Sequence, residues 1–341
     1  MSGNSTIHHE RTALLATSAV EAPVVVTSDS LEERLEPTLR RLRLRSGSLA
    51  TLAGITERRW WGPDEDAAGG AARAGRQALE AAGVEPGQVG LLINTSVYRA
   101  NLEPSVAVGI HHELGLPTSA LNFDITNACL GFVNALTVAA AMIDGGAVRY
   151  ALVVDGEDAR PVHESTIAQL SAEDATRRDF VDAFATLTLG SGAAAAVLGP
   201  ADDHAGAPRV LGGVSRTHSA AHRLCVGGND GMVTDAKGLL DEGVGIIGDA
   251  WDDALAEGWS WKDMDRYLFH QVSTVHTRAL VERLGVDTDR VPLTFPRWGN
   301  VGPAALPMTL AMEAPSLRSG DRVLCLGVGS GLNTTLTEIQ W

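Results

Sequence analysis

Short apolar runs suited to buried strands alternate with Ala-rich stretches of helical spacing along this chain. That alternation restricts it to sheets covered by helices. In the first part, runs at Val89–Asn94, Leu121–Ile125, Tyr150–Val154 and Ala193–Leu198 are interleaved with helical stretches that include Asp66–Ala82 and Leu130–Ile143. The pattern then repeats, with strands near Val210–Ser215, Tyr267–Val272 and Arg322–Gly327 and helices at Leu239–Glu257, Val275–Leu284 and Ala304–Glu313. Arg149-Tyr-Ala-Leu-Val-Val-Asp-Gly and Arg322-Val-Leu-Cys-Leu-Gly-Val-Gly echo one another as strands running into Gly turns. Two similar α/β halves are therefore expected, residues 1–199 and 209–341, joined by the small-residue stretch Gly199–Pro208. With 341 residues the chain is long for one core. The polar, helically spaced segment 157–188 reads as an insertion in the first half, either covering a site or decorating the surface.

Charge narrows the function classes. Acidic residues outnumber basic ones 42 to 27, and the formal net charge is −15, so the surface repels polyphosphate and nucleic-acid binding is not expected. Lys occurs only at 237 and 262; the arginines cluster at Arg40–Arg45 and at Arg58 and Arg59. Three cysteines, Cys129, Cys225 and Cys325, cannot pair completely, which fits a reducing cytoplasm. The opening residues lack a basic region followed by an apolar stretch, and the run Ala135–Ile143 is too short to span a bilayer. Neither export nor membrane insertion is expected.

The strongest chemical signal is Asp124-Ile-Thr-Asn-Ala-Cys129-Leu-Gly-Phe132, where a strand runs into a polar turn and a cysteine opens an apolar helix. Unpaired N–H groups at a helix N-terminus stabilise a thiolate, so a lowered pKa and a nucleophilic role are expected for Cys129. A small buried cysteine is the plainer alternative. His270 ends a strand in Phe269-His270-Gln271, and Asn300 lies in the Gly/Pro turn Trp298-Gly-Asn300-Val-Gly-Pro303. Alone, each reads as structural. Together, Cys, His and Asn at three strand-to-helix junctions fall where open α/β sheets gather their active sites.

Competing motifs fail on context. The order Cys, His, Asn imitates a papain-like protease, but the signature around that cysteine is absent. Gly327-Val-Gly-Ser-Gly331 has the wrong spacing for a dinucleotide loop and no helix or acidic partner follows it. His218 and His222 are spaced like a zinc pair without the Glu or thiols such a site needs, so no metal is expected.

At Gly54-Ile-Thr-Glu-Arg-Arg59, Asn127-Ala-Cys129, His270-Gln271, Gly299-Asn300 and Gly327-Val-Gly-Ser-Gly331 the chain resembles the thiolase superfamily, in its β-ketoacyl-acyl carrier protein synthase III branch. Leu92–Ser105, Tyr150–Glu157, His270–Ser273 and Gly329–Asn333 resemble the OleA-type thiolases of olefin biosynthesis most closely. The resemblance implies a five-layered αβαβα sandwich and head-to-head Claisen condensation of two fatty acyl-CoAs without decarboxylation. Coenzyme A thioesters are then substrates, and no permanently bound cofactor is implied.

Carried over, Cys129 is the acylated nucleophile, His270 and Asn300 polarise the thioester carbonyl, and the backbone N–H groups of Cys129 and Ser330 form an oxyanion hole. Condensing two plain acyl thioesters requires a base, because no carbon dioxide leaves to generate the carbanion. Glu103 matches the family's base, which reaches the active site of the partner subunit, so a homodimer is implied, or a heterodimer with a related thiolase subunit. Cys325 falls where degradative and biosynthetic thiolases carry a second catalytic cysteine; a buried strand residue is the preferred reading. The Arg40–Arg45 run and the pair Arg58 and Arg59 either form a solvated helix face with local ion pairs or, in part, meet the phosphates of coenzyme A. The alternatives are a decarboxylating synthase III using malonyl-acyl carrier protein and a partner subunit of a heterodimeric thiolase.

Overall fold

The computed structural model describes residues 6–341. The first five residues of the amino-terminal stretch discussed above lie outside it.

Nine strands form the main sheet: β1 Thr12–Glu21, β2 Val89–Asn94, β3 Leu121–Asp124, β4 Tyr150–Glu157, β5 Gly192–Pro200, β6 Arg209–Thr217, β7 Arg266–Phe269, β8 Arg322–Gly329 and β9 Asn333–Gln340. A short strand, Thr6–His8, adds to β6. The helices that cover the sheet are α1 Ala67–Ala82, α2 Val106–Glu113, α3 Gly131–Asp144, α4 Ala236–Ala256, α5 Thr274–Leu284 and α6 Ala305–Glu313.

Strand order exposes the internal repeat. In the first half it runs β3-β2-β4-β5-β1 and in the second β7-β8-β9-β6. In each half the last strand but one from the junction, β5 or β9, is antiparallel to both neighbours, while β2 and β4, like β7 and β8, pair in parallel. The echoing segments of the sequence are thus equivalent strands, β4 and β8. The two ladders join between β1 and β6 through the single pair Ala13 and Arg209.

Alternation along the strands sorts their side chains into layers. Leu92, Leu152, Val154 and Val197 face α1 and α2. Leu91, Ile93, Ala151 and Val153 point to the opposite face, where α3 and α6 lie between them and Leu268, Val323 and Cys325 of the second half. Tyr267, Phe269, Leu324 and Leu326 face outward again, onto α4 and α5. The order helix, sheet, helix, sheet, helix is the αβαβα sandwich of a thiolase fold.

Local chemistry makes these layers close. Asp66 caps α1 by accepting from Gly69 N, and Gly83 ends it at φ +64°. At Gly156 a Cβ would stand 2.1 Å from Ala67 O, so only glycine lets α1 start this close to β4. The segment 157–188 folds into helices Arg160–Ser171 and Arg177–Ala183, which pack through Ile167, Leu170 and Phe180 onto Leu31, Leu35 and Leu39.

Leu136 is fully buried in the central layer. Leu136→Ala is expected to cost about 2–5 kcal/mol through lost contacts and the cavity left behind. A urea or thermal midpoint unchanged from the parent would contradict the layer assignment.

Candidate active site

The parallel strands β2, β3 and β4, and β7 and β8 in the other half, all deliver their carboxyl ends to the site. After β3 the chain turns through Ile125–Leu130, with Leu130 N donating to Asn127 O at 3.0 Å, before α3 begins at Gly131. Ala128 takes φ +45°, an unfavourable conformation for a residue with a Cβ, immediately before Cys129. Gly131 is hemmed in: a Cβ there would come within 2.8 Å of Thr95 O, at the end of β2.

Across the sandwich, β8 ends directly against this turn. A Cβ on Gly329 would lie 3.2 Å from Asn127 O and 3.4 Å from both Ala128 Cβ and Cys129 N, so the end of β8 packs directly against the turn that carries Cys129. Amides bind the two halves here. Asn333 Nδ2 donates to Asn127 Oδ1 at 3.2 Å, Asn127 Nδ2 to Asn134 Oδ1 at 2.8 Å, and Asn134 Nδ2 to Thr335 Oγ1 at 3.3 Å. Ser330 sits half-buried in the turn that follows Gly329.

The thiol does not behave as its position near a helix start suggests. Cys129 lies two residues before α3, and burial pushes its pKa up to about 12, with Cys225, Glu157 and Asp155 adding to the effect. The expected lowering by the helix N-terminus is corrected accordingly: desolvation and nearby acids outweigh the dipole.

His270 follows β7 directly, its N–H donating to Leu326 O on β8 at 2.8 Å. The side chain is buried, Nδ1 has no protein partner, and desolvation lowers the pKa to about 3, with His276 contributing. The imidazole is neutral and able to donate an N–H. Asn300 is fixed by its backbone, with N donating to Thr188 O and O accepting from Gly190 N, both at 2.9 Å. Its Oδ1 accepts from Gly302 N at 3.0 Å, which leaves the amide NH₂ to donate elsewhere. Such close backbone contact needs glycine on both sides: a Cβ at Gly190 would stand 1.9 Å from Trp298 O, and Gly299 has φ +71°.

Comparison with known proteins places this arrangement. Residues 123–212 match the family model 3-Oxoacyl-[acyl-carrier-protein (ACP)] synthase III, and residues 255–341 match the model of its C-terminal part. An acyl-CoA:acyl-CoA alkyltransferase of Xanthomonas campestris pv. campestris is 42% identical over 325 residues, covering 94% of this chain and 96% of the relative. The chain belongs to the synthase III family. The corresponding alkyltransferase of Shewanella oneidensis is 36% identical over 335 residues, with the same coverage. A β-ketoacyl-[acyl-carrier-protein] synthase III of Brucella suis is more distant, 29% identical over 84% of this chain and 88% of its own. Crystal structures of Xanthomonas campestris OleA superpose with a TM-score of 0.95 at 40% identity. One covers 98% of both chains, and another, with lauric acid and lauroyl-CoA bound, covers 97% of this chain and 99% of its own. This chain is therefore an acyltransferase of the synthase III family, on the OleA side of it.

The remaining expected residues of this family member fall in different places. Glu103 is exposed, on the loop between β2 and α2, beside Leu102, which is 89% exposed. Cys325 is fully buried among the apolar side chains of the central layer, and burial alone raises its pKa to about 12. Cys225 opens a separate hairpin, Cys225–Gly228 with Gly231–Thr234, where its Sγ meets Thr234 Oγ1 at 3.5 Å.

The reading of Arg58 and Arg59 as phosphate contacts is corrected. Arg58 is fully buried and donates to Ser28 Oγ and Leu187 O, both at 3.0 Å; Arg59 is buried and paired with Glu57 at 2.9 Å and Glu21 at 3.4 Å. Both guanidinium groups hold the strand pair Val24–Thr27 and Glu57–Trp60 to its surroundings and present nothing to a ligand.

Two acids at the end of β4 escaped the sequence reading. Asp155 is fully buried, with Thr95 Oγ1 donating to it; Glu157 accepts from Val97 N at 2.6 Å and Tyr98 N at 3.1 Å. Burial raises both, Asp155 to about 8 and Glu157 well above the carboxylate range. The signal was present as two acids closing an otherwise apolar strand run.

With its pKa near 12, the Cys129 thiol is mostly protonated at neutral pH, and the thiolate fraction grows about tenfold per pH unit up to that value. Alkylation by iodoacetamide, followed by mass spectrometry at Cys129, is expected to accelerate steadily from pH 7 to 10. A plateau below pH 8 would show that the helix start dominates after all.

Proposed function

We propose that this acyltransferase condenses two fatty acyl-CoA molecules head to head, without decarboxylation, to a 2-alkyl-3-keto acid or its coenzyme A thioester. The packing of the Gly329 turn against the turn that carries Cys129 supports this reading most directly, and in it the backbone N–H groups of Cys129 and Ser330 serve as the oxyanion hole. The relatives named for acyl-CoA:acyl-CoA alkyl transfer supply the substrate class.

In the first half-reaction Cys129 Sγ attacks the thioester carbon of one acyl-CoA. The tetrahedral oxyanion rests on the two backbone donors, the C–S bond to coenzyme A breaks, and the thiol proton leaves on the coenzyme A sulfur. In the second, a carboxylate removes a proton from the carbon next to the carbonyl of another acyl-CoA. The neutral His270 N–H and the Asn300 amide NH₂ donate to the resulting enolate oxygen. The carbanion attacks the acyl carbon on Cys129, a C–C bond forms, and Cys129 Sγ leaves and regains a proton. Hydrolysis of the product thioester gives the free keto acid.

Glu103 is the base, acting in the site of a partner subunit. Its side chain is exposed, on the loop after β2. Its loop stands near β3, the edge strand of the first half, whose Leu121 is 52% exposed, and next to Leu102 and the exposed Val97 and Val108. An open strand edge with apolar side chains beside it is a surface for a second copy. The dimer is a homodimer in this reading. In this reading the enzyme works in the cytoplasm, where its three free thiols stay reduced.

Purified protein incubated with myristoyl-CoA alone is expected to release coenzyme A and form a β-keto acid or the ketone derived from it. Absolute dependence on a malonyl donor would replace this reading with a decarboxylating synthase. Cys129→Ala should abolish acyl loading; an unchanged loading rate would overturn Cys129 as the acylated residue. Glu103→Gln should lower condensation by about 10²–10⁴-fold while the initial release of coenzyme A persists.

A further inference from the structure

The loop that carries Glu103 is held at both ends by carboxylates that belong to the walls of its own subunit's site. At its start, Glu157 on β4 accepts from Val97 N at 2.6 Å and Tyr98 N at 3.1 Å, one to each carboxylate oxygen. At its end, Asp124 on β3 accepts from Val106 N at 3.0 Å and Ala107 N at 2.9 Å, where α2 begins. Arg99, inside the loop, donates to Thr126 Oγ1 and pairs with Asp124 at 3.7 Å. Asp124 and Thr126 lie on the turn that leads to Cys129.

Glu157 is the more telling of the two. A buried carboxylate is costly unless its oxygens are satisfied, and here the partners are backbone N–H groups of an otherwise exposed loop. Its carboxyl also faces the Asn300 turn, since a Cβ on Gly302 would lie 3.5 Å from Glu157 Cδ. One side chain thus binds the loop that carries Glu103 and lies beside the turn that carries Asn300. A misplaced base loses rate steeply, so a clamp at the root of the loop has catalytic consequence.

The geometry points to Glu157 as a positioning residue for Glu103: it fixes the loop by which one subunit supplies the base to the other. This rests on the reading of Glu103 as a base acting across the dimer. Glu157 belongs to the chain that gives the base, not to the chain whose Cys129 is acylated in the same reaction.

Mixed dimers separate these assignments. Two chains with different affinity tags are co-expressed and only doubly tagged dimers are assayed with myristoyl-CoA. Glu157→Gln places an NH₂ group against a backbone N–H, and Glu157→Asp shortens the reach; either homodimer is expected to condense about 10–100-fold more slowly. Paired with Cys129→Ala, the Glu157→Gln chain contributes its intact Cys129 and the Cys129→Ala chain its intact loop. One complete site results, and about half of the parental rate per dimer is expected.

The same pairing of Glu103→Gln with Cys129→Ala tests the reading beneath. If that pair recovers activity and the Glu157 pair does not, Glu157 acts on its own Cys129 site and the inference is overturned. If neither recovers, the base does not cross the dimer and both fall. Unimpaired Glu157→Gln and Glu157→Asp homodimers would overturn the clamp alone.

Discussion

Everything in the site depends on one close approach, the backbone of Gly329 against the backbone of Asn127 to Cys129. One segment closes β8 in the second half, the other follows β3 in the first, and they meet across the central helical layer. A side chain at Gly329 would press on the Asn127 carbonyl and force it back by a few tenths of an ångström. The amide chain from Asn333 through Asn127 and Asn134 to Thr335 locks the contact laterally. Each half contributes a strand end, and the proposed oxyanion site draws one donor from each.

That geometry sets the electrostatics. A nucleophile at the meeting point of two sheets is deep, so its thiol is pushed up rather than down, and His270 beside β8 is held neutral. The pairing is chemically coherent. A neutral imidazole donates a hydrogen bond to a thioester or enolate oxygen without bringing a full charge into an apolar cavity. In the proposed first half-reaction the thiol proton leaves on the coenzyme A sulfur.

The sequence made the layered α/β plan legible because most sheet strands are short apolar runs, such as Leu91–Asn94 and Ala151–Val154. Of the nine main strands, two escaped it. β1, Thr12–Glu21, is rich in Thr, Ser and Ala and β9, Asn333–Gln340, in Thr, and their buried hydroxyls are satisfied by neighbouring backbone: Thr334 Oγ1 donates to Gly327 O on β8 at 2.7 Å and Ser18 Oγ to Ala74 O on α1 at 2.6 Å. Cys129, His270 and Asn300 were legible as residues at strand ends. The state of the thiol was not, since burial is a property of both halves together. Arg58 failed for the same reason: a run of basic residues carries no mark of which guanidinium becomes enclosed.

Why the base should come from another subunit follows from what already surrounds Cys129. The chain places two carboxyls of its own near the thiol, Asp155 and Glu157, yet neither is suited to abstract a carbon-bound proton. Glu157 has a backbone N–H on each oxygen, and Asp155 is sealed beneath Thr95. A carboxyl rigid enough to build the wall cannot also swing to a substrate carbon and give its proton back. A glutamate on an exposed loop has the opposite property, freedom to reach. On the proposed mechanism it becomes precise when its root is clamped and a second subunit closes over it. The wall and the base then divide the two demands between them: β4 supplies the fixed carboxyls, and the loop after β2 supplies the one proposed to move a proton.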